Sequence, residues 1–336
     1  MSEIRRDPLR GHWTIIAHSR GKRPSDFTRP AHTTERGKAC PFCPGNERLT
    51  PDEVMAVRPN DDPANQPGWS VRVIPNKYPA VQNDLPERPI ETGGLFERVP
   101  AMGVHELVIL SPEHDRSCAQ LSVDHWNTVL AVCQHRMHEL WRDPNTQHVA
   151  LFMNHGPAAG ASREHPHMQI VSAPVSAPVS DRMLTALRAH YKARQACMVC
   201  DILKSEVAQD VRIVAQDKTY VTIAPFASRL PYELWIVPRA HRSTFLSVPA
   251  GDRRRFAEHL RDVFTRLTSQ LGNVPFNAIL HSSRPGPDDP KTPFHWHFEI
   301  APRLAELAGL EWGSGAHINP VAPEAVAAQL KGETSK

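Results

Sequence analysis

The sequence has 336 residues, of which 40 % are hydrophobic and 22 % charged, as in ordinary soluble globular proteins. Its length suits one large or two ordinary domains. The net charge of +3, without a long Lys/Arg block, excludes the basic footprint of a nucleic-acid-binding protein. No apolar run approaches the ~18–20 residues that cross a bilayer, and residues 1–10 contain no apolar signal-peptide core, so we expect a cytoplasmic protein.

The first predicted element is a short strand at residues 13–17, which leads into a basic loop. This loop contains Arg20 and Arg23. Because a guanidinium group binds phosphate in a bidentate manner, both are candidate ligands for the outer phosphates of a nucleotide. A solvated loop is the alternative interpretation.

Six cysteines follow a simple pattern, with Cys40 and Cys43 in one C-x-x-C pair and Cys197 and Cys200 in another. In a cytosolic protein such pairs are typical of metal or redox sites rather than of structural disulfides. Each pair is therefore a candidate half of a metal site.

Between the first pair and residue 153, the pattern alternates strands with one helix. Strands are predicted at residues 54–58 and 70–74. Asn76 and Lys77 follow the second of them, and Lys77 is a further candidate for the outer phosphates. A third strand begins at His105 and runs to a Ser-Pro turn that ends at His114. Ser122 is a predicted N-cap for a helix to about residue 141, and residues 149–153 read as a buried strand.

A loop of small residues comes next and leads into a His-x-His segment. Gly160, Ala161 and Ser162 lie in this loop and allow a phosphate to approach the backbone N–H groups. In an extended segment residues two apart share a face, so His165 and His167 point the same way, with Gln169 beyond them. The combination indicates chemistry at a phosphorus atom.

The order of parts then repeats after a Ser/Ala/Pro/Val crossover at residues 172–180. Helices are predicted at 181–195 and 252–271 and strands at 221–224, 233–237, 276–281 and 294–300. The second copy carries its own C-x-x-C, a histidine after a strand (His241) and a His-x-His (His295, His297). Two copies of one ordered pattern predict an α+β protein of two halves, residues 1–175 and 176–336.

Two thiolates and two imidazoles suit a tetrahedral zinc site, and the repeat predicts two such sites. His105 competes with His114 for the first site, but His114 is favoured because it matches His241. Redox dithiols or buried free cysteines are the alternatives. The predicted zinc ligands are Cys40, Cys43, His114 and His165 in site one, and Cys197, Cys200, His241 and His295 in site two.

With His165 on the metal, His167 is free to act as a nucleophile. Its other ring nitrogen needs an acceptor, and we expect a backbone carbonyl. Gln169, Ser162 and the loop N–H groups would stabilise charge on the phosphoryl oxygens. The second copy lacks the small-residue loop, so we expect one active site, built on the first half.

These residues together resemble the galactose-1-phosphate uridylyltransferase family, a branch of the histidine-triad superfamily, over nearly the whole chain. The resemblance implies two histidine-triad-like halves of mostly antiparallel sheet flanked by helices, a homodimer, zinc, and ping-pong chemistry through a nucleotidyl-histidine on His167. It also implies nucleotide contacts by Arg20, Arg23, Asn76, Asn154, Gly160, Ser162 and Gln169.

Two departures point to a neighbouring branch. The Cys-Cys-His-His pattern of site two and residues 308–320 are similar to ADP-glucose phosphorylases. Leu310 stands where the familiar enzymes have a tyrosine, and Ala305 stands where they have a lysine. Glu311 follows Leu310, and we expect it to contact sugar hydroxyls. These departures weaken the case for galactose 1-phosphate as the acceptor.

The leading hypothesis is a nucleotidyltransferase that moves a uridylyl group between a nucleotide sugar and a sugar 1-phosphate. An ADP-sugar phosphorylase, with phosphate as the acceptor, is the closest alternative. A dinucleoside polyphosphate hydrolase and a non-enzymatic zinc-stapled binding module are further alternatives. The first three share His167 as the reactive residue.

Overall fold

The fold is described from a computed structural model of residues 2–17, 40–85, 94–286 and 293–332. Arg20 and Arg23 lie outside the described residues. The strands are β1 Glu3–Arg6, β2 Trp13–Ile16, β3 Met55–Val57, β4 Val71–Pro75, β5 His105–Ile109, β6 His148–His155, β7 His167–Ala173, β8 Ile213–Gln216, β9 Tyr220–Ile223, β10 Leu234–Pro238, β11 Phe276–His281, β12 His297–Pro302 and β13 His317–Asn319. The helices are α1 Val123–Leu140, α2 Pro178–Arg194, α3 Met198–Gln209, α4 Ala250–Leu271, α5 Gly309–Ser314 and α6 Pro323–Lys331.

Ten of these strands form one antiparallel sheet in the order β3-β4-β5-β7-β6-β11-β12-β10-β9-β8. From its outer edge to the centre of the sheet, the first half runs β3-β4-β5-β7-β6 and the second half runs β8-β9-β10-β12-β11. The two halves therefore have the same strand order, and they meet where β6 pairs with β11. The fold is thus α+β with two histidine-triad-like halves, as predicted. The division at residue 175/176 stays a prediction.

A smaller sheet joins the two ends of the described chain. β2 pairs antiparallel with β1 and parallel with β13, so its three strands combine N-terminal and C-terminal segments. Arg5 of β1 extends this link, because its guanidinium bonds Glu324 of α6 at 2.9 Å.

The main core lies between the large sheet and the pair α1 and α4. Side chains alternate across a strand, so Leu151 and Met153 of β6 point into this core while their neighbours point away. The two helices pack side by side, and Trp126 of α1 stacks on Phe264 of α4 with ring centroids 5.9 Å apart. The opposite face of the central strands carries polar residues such as Asn154 and Asn277 together with apolar ones such as Phe152 and Ile279.

Ser122 caps α1 as predicted, since its side chain accepts a hydrogen bond from the His125 N–H. Other boundaries differ from the sequence prediction. α2 begins at Pro178, because proline is well suited to the first helical position, and the predicted linker is correspondingly shorter. α3 follows Cys197 directly, where the sequence pattern predicts no helix and only a C-x-x-C pair.

The His-x-His strands also begin later than predicted. β7 starts at His167 and β12 at His297, so His165 and His295 precede their strands. The C-terminal elements α5, β13 and α6 were not predicted. Among the described helices, none combines the length and apolarity that a membrane span requires.

Candidate active site and metal centres

The first candidate metal centre brings together four residues, some of which lie far apart in the chain. The ligand atoms of Cys40, Cys43, His114 and His165 all lie within 4.8 Å of one another. The Cys43 Sγ atom lies 3.4 Å from His114 Nδ1 and 3.6 Å from His165 Nδ1. His105, the rival to His114, is not a member of this group.

The second candidate metal centre has the same composition and a similar geometry. Cys197, Cys200, His241 and His295 also place their ligand atoms within 4.8 Å of one another. The Cys200 Sγ atom lies 3.6 Å from His241 Nδ1 and 3.4 Å from His295 Nδ1. Both predicted sets of four therefore form clusters in the fold.

A backbone carbonyl orients one histidine in each cluster. His165 Nε2 donates to the Ser111 carbonyl at 2.7 Å, and His295 Nε2 donates to the Pro238 carbonyl at 3.0 Å. Each bond fixes the proton on Nε2 and leaves Nδ1 facing the thiols, as in metal-bound histidines. Ser111 and Pro238 occupy matching positions in the sequence repeat, which explains the shared geometry.

The electrostatics of the clusters fit a divalent cation. Burial lowers the pKa of His165 to about 4, so its imidazole is neutral. Burial and the neighbouring Cys40 raise the pKa of Cys43 to about 11. In the second cluster a hydrogen bond from Cys200 lowers the pKa of Cys197 to about 2, while the pKa of Cys200 is raised. A bound cation would compensate the charge of two neighbouring thiolates, and thiolate–imidazole sets are common metal-binding sites.

His167 begins β7 and is buried, with 5 % of its surface exposed. Its Nδ1–H donates to the carbonyl oxygen of His165 at 2.8 Å, which is the backbone acceptor expected from the sequence. Among the described residues, its Nε2 atom makes no hydrogen bond. Burial lowers the pKa of His167, so the ring is neutral and Nε2 carries a lone pair. This arrangement is that of an available nucleophile.

His105 connects two of the predicted substrate-binding residues. Its Nε2 lies 2.9 Å from the Gln169 side-chain oxygen and 3.1 Å from the Asn76 amide nitrogen, and its Nδ1 accepts from the Ala80 N–H at 3.1 Å. The sequence pattern indicates His105 only as a possible metal ligand and does not reveal this role. His105 lies two residues before Leu107, and Leu107 is the cross-strand partner of Gln169. This spacing is the sequence signal from which the contact between His105 and Gln169 could have been found.

The small-residue loop follows β6 and is fixed from the second half. Gly156 and Gly160 adopt φ of +76° and +83°, a backbone region that favours glycine. The Asn277 amide of β11 donates to the side chain of Asn154 and to the Ala159 carbonyl, both at 2.9 Å. Ala161 is half-buried and Ser162 is exposed at the end of this loop.

The counterpart of His167 in the second half is sealed. His297 is fully buried, between His281 at 4.6 Å and Trp235 at 5.1 Å between ring centroids. Its Nε2 is buried and, in the described ranges, has no hydrogen-bond partner. Arg10 closes this side, because it stacks on Trp235 at 4.7 Å and forms ion pairs with Glu233 and Glu299. His167 keeps 5 % of its surface exposed, whereas His297 keeps none. That the protein has one active site, built on the first half, stays a prediction.

A cavity of about 320 Å³ lies on the same sheet face as His167 and contains residues of both halves. Asn154 lines it, and lies beside His167 because the strand register continues one position past the Met153–Met168 pair. Asn277 lines it from the next strand. The remaining lining residues are Phe152, Arg229, Leu230, Ile279, Glu299, Ala301, Arg303, Leu307 and His317.

Among the described residues, Asn154 is the one predicted substrate-binding residue that lines this cavity, so Lys77 and Glu311 both lie outside its lining. Lys77 is exposed beyond β4 and has no described contact with the site. Glu311 lies on α5, where its carboxylate accepts from the Ala308 N–H at 2.9 Å and so caps its own helix. Their roles stay predictions.

Two family models match the chain, and together they span nearly all of it. The model of the galactose-1-phosphate uridyl transferase N-terminal domain matches residues 1–176. A domain of unknown function, DUF4921, matches residues 110–335.

Relatives of known name match over nearly the full length. The ADP-glucose phosphorylase of Arabidopsis thaliana is 29 % identical over 98 % of this chain and 92 % of its own. The galactose-1-phosphate uridylyltransferase of Thermotoga maritima is 28 % identical over 98 % of each chain. The solved structure of an Arabidopsis thaliana ADP-glucose phosphorylase with bound ADP-glucose superposes with a TM-score of 0.83, at 28 % identity over 100 % of this chain and 99 % of that one. A uridylyltransferase structure superposes with a TM-score of 0.76, at 28 % identity over 99 % and 98 %.

Proposed function

Because the chain belongs to the galactose-1-phosphate uridylyltransferase family, we propose that it transfers a nucleoside monophosphate from a nucleotide sugar to a phosphate-bearing acceptor through His167. The named relatives are uridylyltransferases and an ADP-glucose phosphorylase, and the chain is a nucleotidyltransferase enzyme. The proposal adds the reactive residue and the substrates to this family membership.

The observation that carries the proposal is the hydrogen bond from His167 Nδ1 to the His165 carbonyl, at 2.8 Å. A carbonyl only accepts, so this bond sets the tautomer with the proton on Nδ1. Nε2 then has its lone pair, and no described residue occupies it. Covalent catalysis by such an imidazole divides a nucleotidyl transfer into two displacements.

In the first displacement His167 Nε2 forms a bond to the α-phosphorus of the donor. The bond from this phosphorus to the bridging oxygen breaks, and that oxygen leaves with its electron pair on the sugar 1-phosphate. In the second displacement an oxygen of the acceptor phosphate attacks the same phosphorus, and the phosphorus–nitrogen bond breaks. In both displacements the proton stays on His167 Nδ1 and keeps its hydrogen bond to the His165 carbonyl, so no proton transfer is required.

The neighbouring residues would stabilise the charge that develops on the phosphoryl oxygens. We assign this role to Gln169, Ser162 and the loop N–H groups around Gly160 and Ala161. Asn154 lies beside His167 and is assigned to the same group. Arg20, Arg23, Asn76 and Lys77 are assigned to the remainder of the nucleotide.

We assign zinc to both clusters, since two thiols and two imidazoles in each fit its preferred ligands. The metal would supply structural cross-linking rather than a reacting group. In the first cluster His165 would then be fixed at the position from which its carbonyl orients His167.

For the acceptor we propose a hexose 1-phosphate, with a uridine nucleotide as the group transferred. A second candidate is an ADP-sugar phosphorylase, and the similarity to the Arabidopsis thaliana enzyme at 29 % identity over 98 % of this chain favours it. The four-residue Cys-Cys-His-His composition of the second cluster agrees with that branch. Glu311 is assigned to the sugar hydroxyls in either case.

A homodimer stays a prediction. The outer face of the small sheet supports it, because Ile4 and Trp13 are 64 % and 49 % exposed there. Light scattering gives the mass in solution, and a monomer at micromolar concentration would contradict the prediction.

The covalent intermediate is the direct test. Wild-type protein incubated with labelled UDP-glucose or ADP-glucose, without an acceptor, should retain about one label per site, and His167→Asn should retain none. The donor that labels faster identifies the base. Addition of hexose 1-phosphate or of inorganic phosphate should discharge the label, and the more effective acceptor distinguishes the two candidate reactions.

His297→Asn is the matched control, because it makes the same change at the corresponding position of the second half. It should label as fast as wild type, since His297 is sealed by Trp235 and His281. Label retained by His167→Asn, or absent from wild type with both donors, would overturn the proposal. Rapid loss of the label to water alone would instead indicate a hydrolase.

A further inference from the structure

The strand register identifies which residue of the second half corresponds to Gln169 of the first. Gln169 pairs across the strands with Leu107 of β5, and Glu299 pairs with Trp235 of β10. Gln169 lies two residues after His167, and Glu299 lies two residues after the second histidine of the other His-x-His. The two positions are therefore equivalent, and a carboxylate replaces an amide in the second half.

A second carboxylate stands next to Glu299. In the first half His105 lies two residues before the partner of Gln169 and contacts the Gln169 side chain at 2.9 Å. The equivalent residue, two before Trp235, is Glu233. Both carboxylates are buried, with 1 % of each side chain exposed. Because like charges repel and burial adds to the cost, this pair of carboxylates requires a neighbouring cation.

The N-terminal segment supplies this cation. Arg10 Nη1 donates to Glu233 at 2.9 Å, and Arg10 Nη2 forms an ion pair with Glu299. The guanidinium carbon lies 4.7 Å from the centroid of the Trp235 ring. Arg229 pairs with the same two carboxylates, but its side chain is 28 % exposed, whereas that of Arg10 is only 6 % exposed. An aromatic ring beside two carboxylates suits a guanidinium group, and Arg10 fills this site.

A fixed turn holds Arg10 in this position. The loop at residues 7–12, called the plug loop below, begins at Asp7, whose carboxylate accepts from the N–H groups of Leu9 and Arg10 at 2.8 and 2.7 Å. Gly11 closes the turn with φ of +76° and donates to the Asp7 carbonyl at 2.9 Å. Leu9 is fully buried in the apolar cluster that joins α2 and α3 to β9 and β10. The plug loop is thereby anchored to the second half on both sides of its turn.

Arg10 and its neighbours cover His297. The rings of His281 and Trp235 lie 4.6 and 5.1 Å from the His297 ring, and Arg10 Nη2 lies 3.5 Å from His281 Nε2. The His297 Nε2 atom is buried and, among the residues that the structure describes, has no hydrogen-bond partner. The buried nitrogen of this histidine is therefore separated from solvent by a layer that includes Arg10.

We propose that the plug loop closes the second half from within: Arg10 fills a guanidinium-binding site over His297 and so keeps this histidine from reacting. Once the Arg10 side chain is removed, the site should take small guanidinium cations. It should not take phosphates, because Glu299 stands where the first half has Gln169. This inference is independent of the proposed function, since it involves no nucleotide and no reaction at His167.

Diethyl pyrocarbonate, which modifies accessible imidazoles, tests the plug in the metal-loaded protein. Peptide mass spectrometry measures the modification rate of His297 relative to the exposed His135. Arg10→Ala should raise this rate by on the order of 10–100-fold, since a hydrogen bond to a charged group stabilises the closed state by about this factor. Ethylguanidinium, which replaces the part of the side chain that the substitution removes, should restore protection, whereas uncharged ethylurea should not.

Arg6→Ala, which removes an exposed arginine of the same segment, is the matched control and should leave His297 protected. Arg10→Ala/Glu233→Gln removes one charge of each sign and provides the same test if the single variant is unstable. The buried His259 should stay unmodified throughout, which separates a local opening from general unfolding. Protection of His297 equal to wild type in both Arg10 variants, modification of His259 together with His297, or no protection by ethylguanidinium would overturn the proposal.

Discussion

At the scale of single residues, the site depends on which ring nitrogen of each histidine is hydrogen-bonded to a backbone carbonyl. His165 uses Nε2 on the Ser111 carbonyl and so presents Nδ1 to the thiols. His167 uses Nδ1 on the His165 carbonyl and so leaves Nε2 without a described partner. Two histidines separated by one proline thereby suit the different roles that we propose for them, one as a metal ligand and one as a nucleophile.

His105 provides the prediction at this scale. His105→Phe keeps a ring of similar shape but removes the contacts at 2.9 Å to Gln169 and 3.1 Å to Asn76. Loss of one or two such bonds is expected to lower kcat/KM for the nucleotide sugar about 3–30-fold. Steady-state kinetics measure this, and metal content and Tm should stay near wild type.

His135→Phe, on the exposed face of α1, is the matched control and should keep full activity. If His105→Phe is as active as wild type, His105 does not position the two amides. A loss of metal in His105→Phe would point instead to a structural defect in the first half.

The residues that the sequence could identify are those whose partners follow from the repeat. His114 is favoured over His105 because it matches His241, and the clusters contain both His114 and His241. The role of His105 does not follow from the sequence, because its partners come from β7, from the end of β4 and from Ala80, and a linear pattern does not contain such contacts.

At the scale of elements, each metal cluster joins a C-x-x-C segment, a histidine after one strand and a histidine before the next. In the first half these are β5 and β7, and in the second half β10 and β12. The two clusters differ in what the second strand carries. β7 begins with the open His167, whereas β12 begins with the sealed His297.

This difference predicts unequal effects of losing the two centres. Cys40→Ser and Cys197→Ser should each lower metal affinity by more than about 100-fold, because even the loss of a supporting bond costs about 10–100-fold. Both should lower Tm. Cys40→Ser should also strongly reduce labelling of His167, whereas Cys197→Ser should reduce it far less when measured below its Tm.

Elemental analysis and thermal unfolding of the purified variants provide the measurement. Cys118→Ser and Cys133→Ser replace buried cysteines outside both clusters and should keep full metal content. Two bound metals in Cys40→Ser or Cys197→Ser would contradict the ligand assignments.

Most elements of the sheet and both long helices could be predicted from alternation and from the apolar stripe, as with β5 and α4. α3 could not, because the C-x-x-C motif at its start indicates a metal or redox site and not a helix when it is read alone. Cys197 caps that helix, and Cys200 lies on it near the buried Val199 and Leu203. β7 likewise begins at His167 and not at His165, because His165 lies outside the strand and belongs to the first cluster.

At the scale of the whole molecule, many histidines are buried in neutral form. Burial lowers the pKa of His148, His155, His259 and His281 below the ordinary value near 6.5. In the unfolded chain these groups take up protons near pH 6.5, but in the folded protein they do so only at lower pH. The unfolded state therefore binds more protons in this window, and stability falls as the pH is lowered.

We accordingly predict that the free energy of unfolding is largest above pH 6.5 and falls steadily as the pH goes from 6.5 to 5.5. Denaturant unfolding at several pH values measures it, with metal content determined in the same samples. His155→Gln should weaken the pH dependence, because glutamine keeps a donor for Asn273 but does not titrate. Stability that is constant or rising toward pH 5.5 would contradict the prediction.

The pairing of β6 with β11 has a consequence for how such a protein could be divided. Five residue pairs, from Phe276–His155 to Leu280–Leu151, close the inner edge of each half. A solitary half would present this row of N–H and C=O groups as an open template for another copy. Separately expressed halves should therefore self-associate or recombine. In the intact chain the covalent link makes this pairing permanent, and the first half alone keeps its His-x-His histidine unsealed.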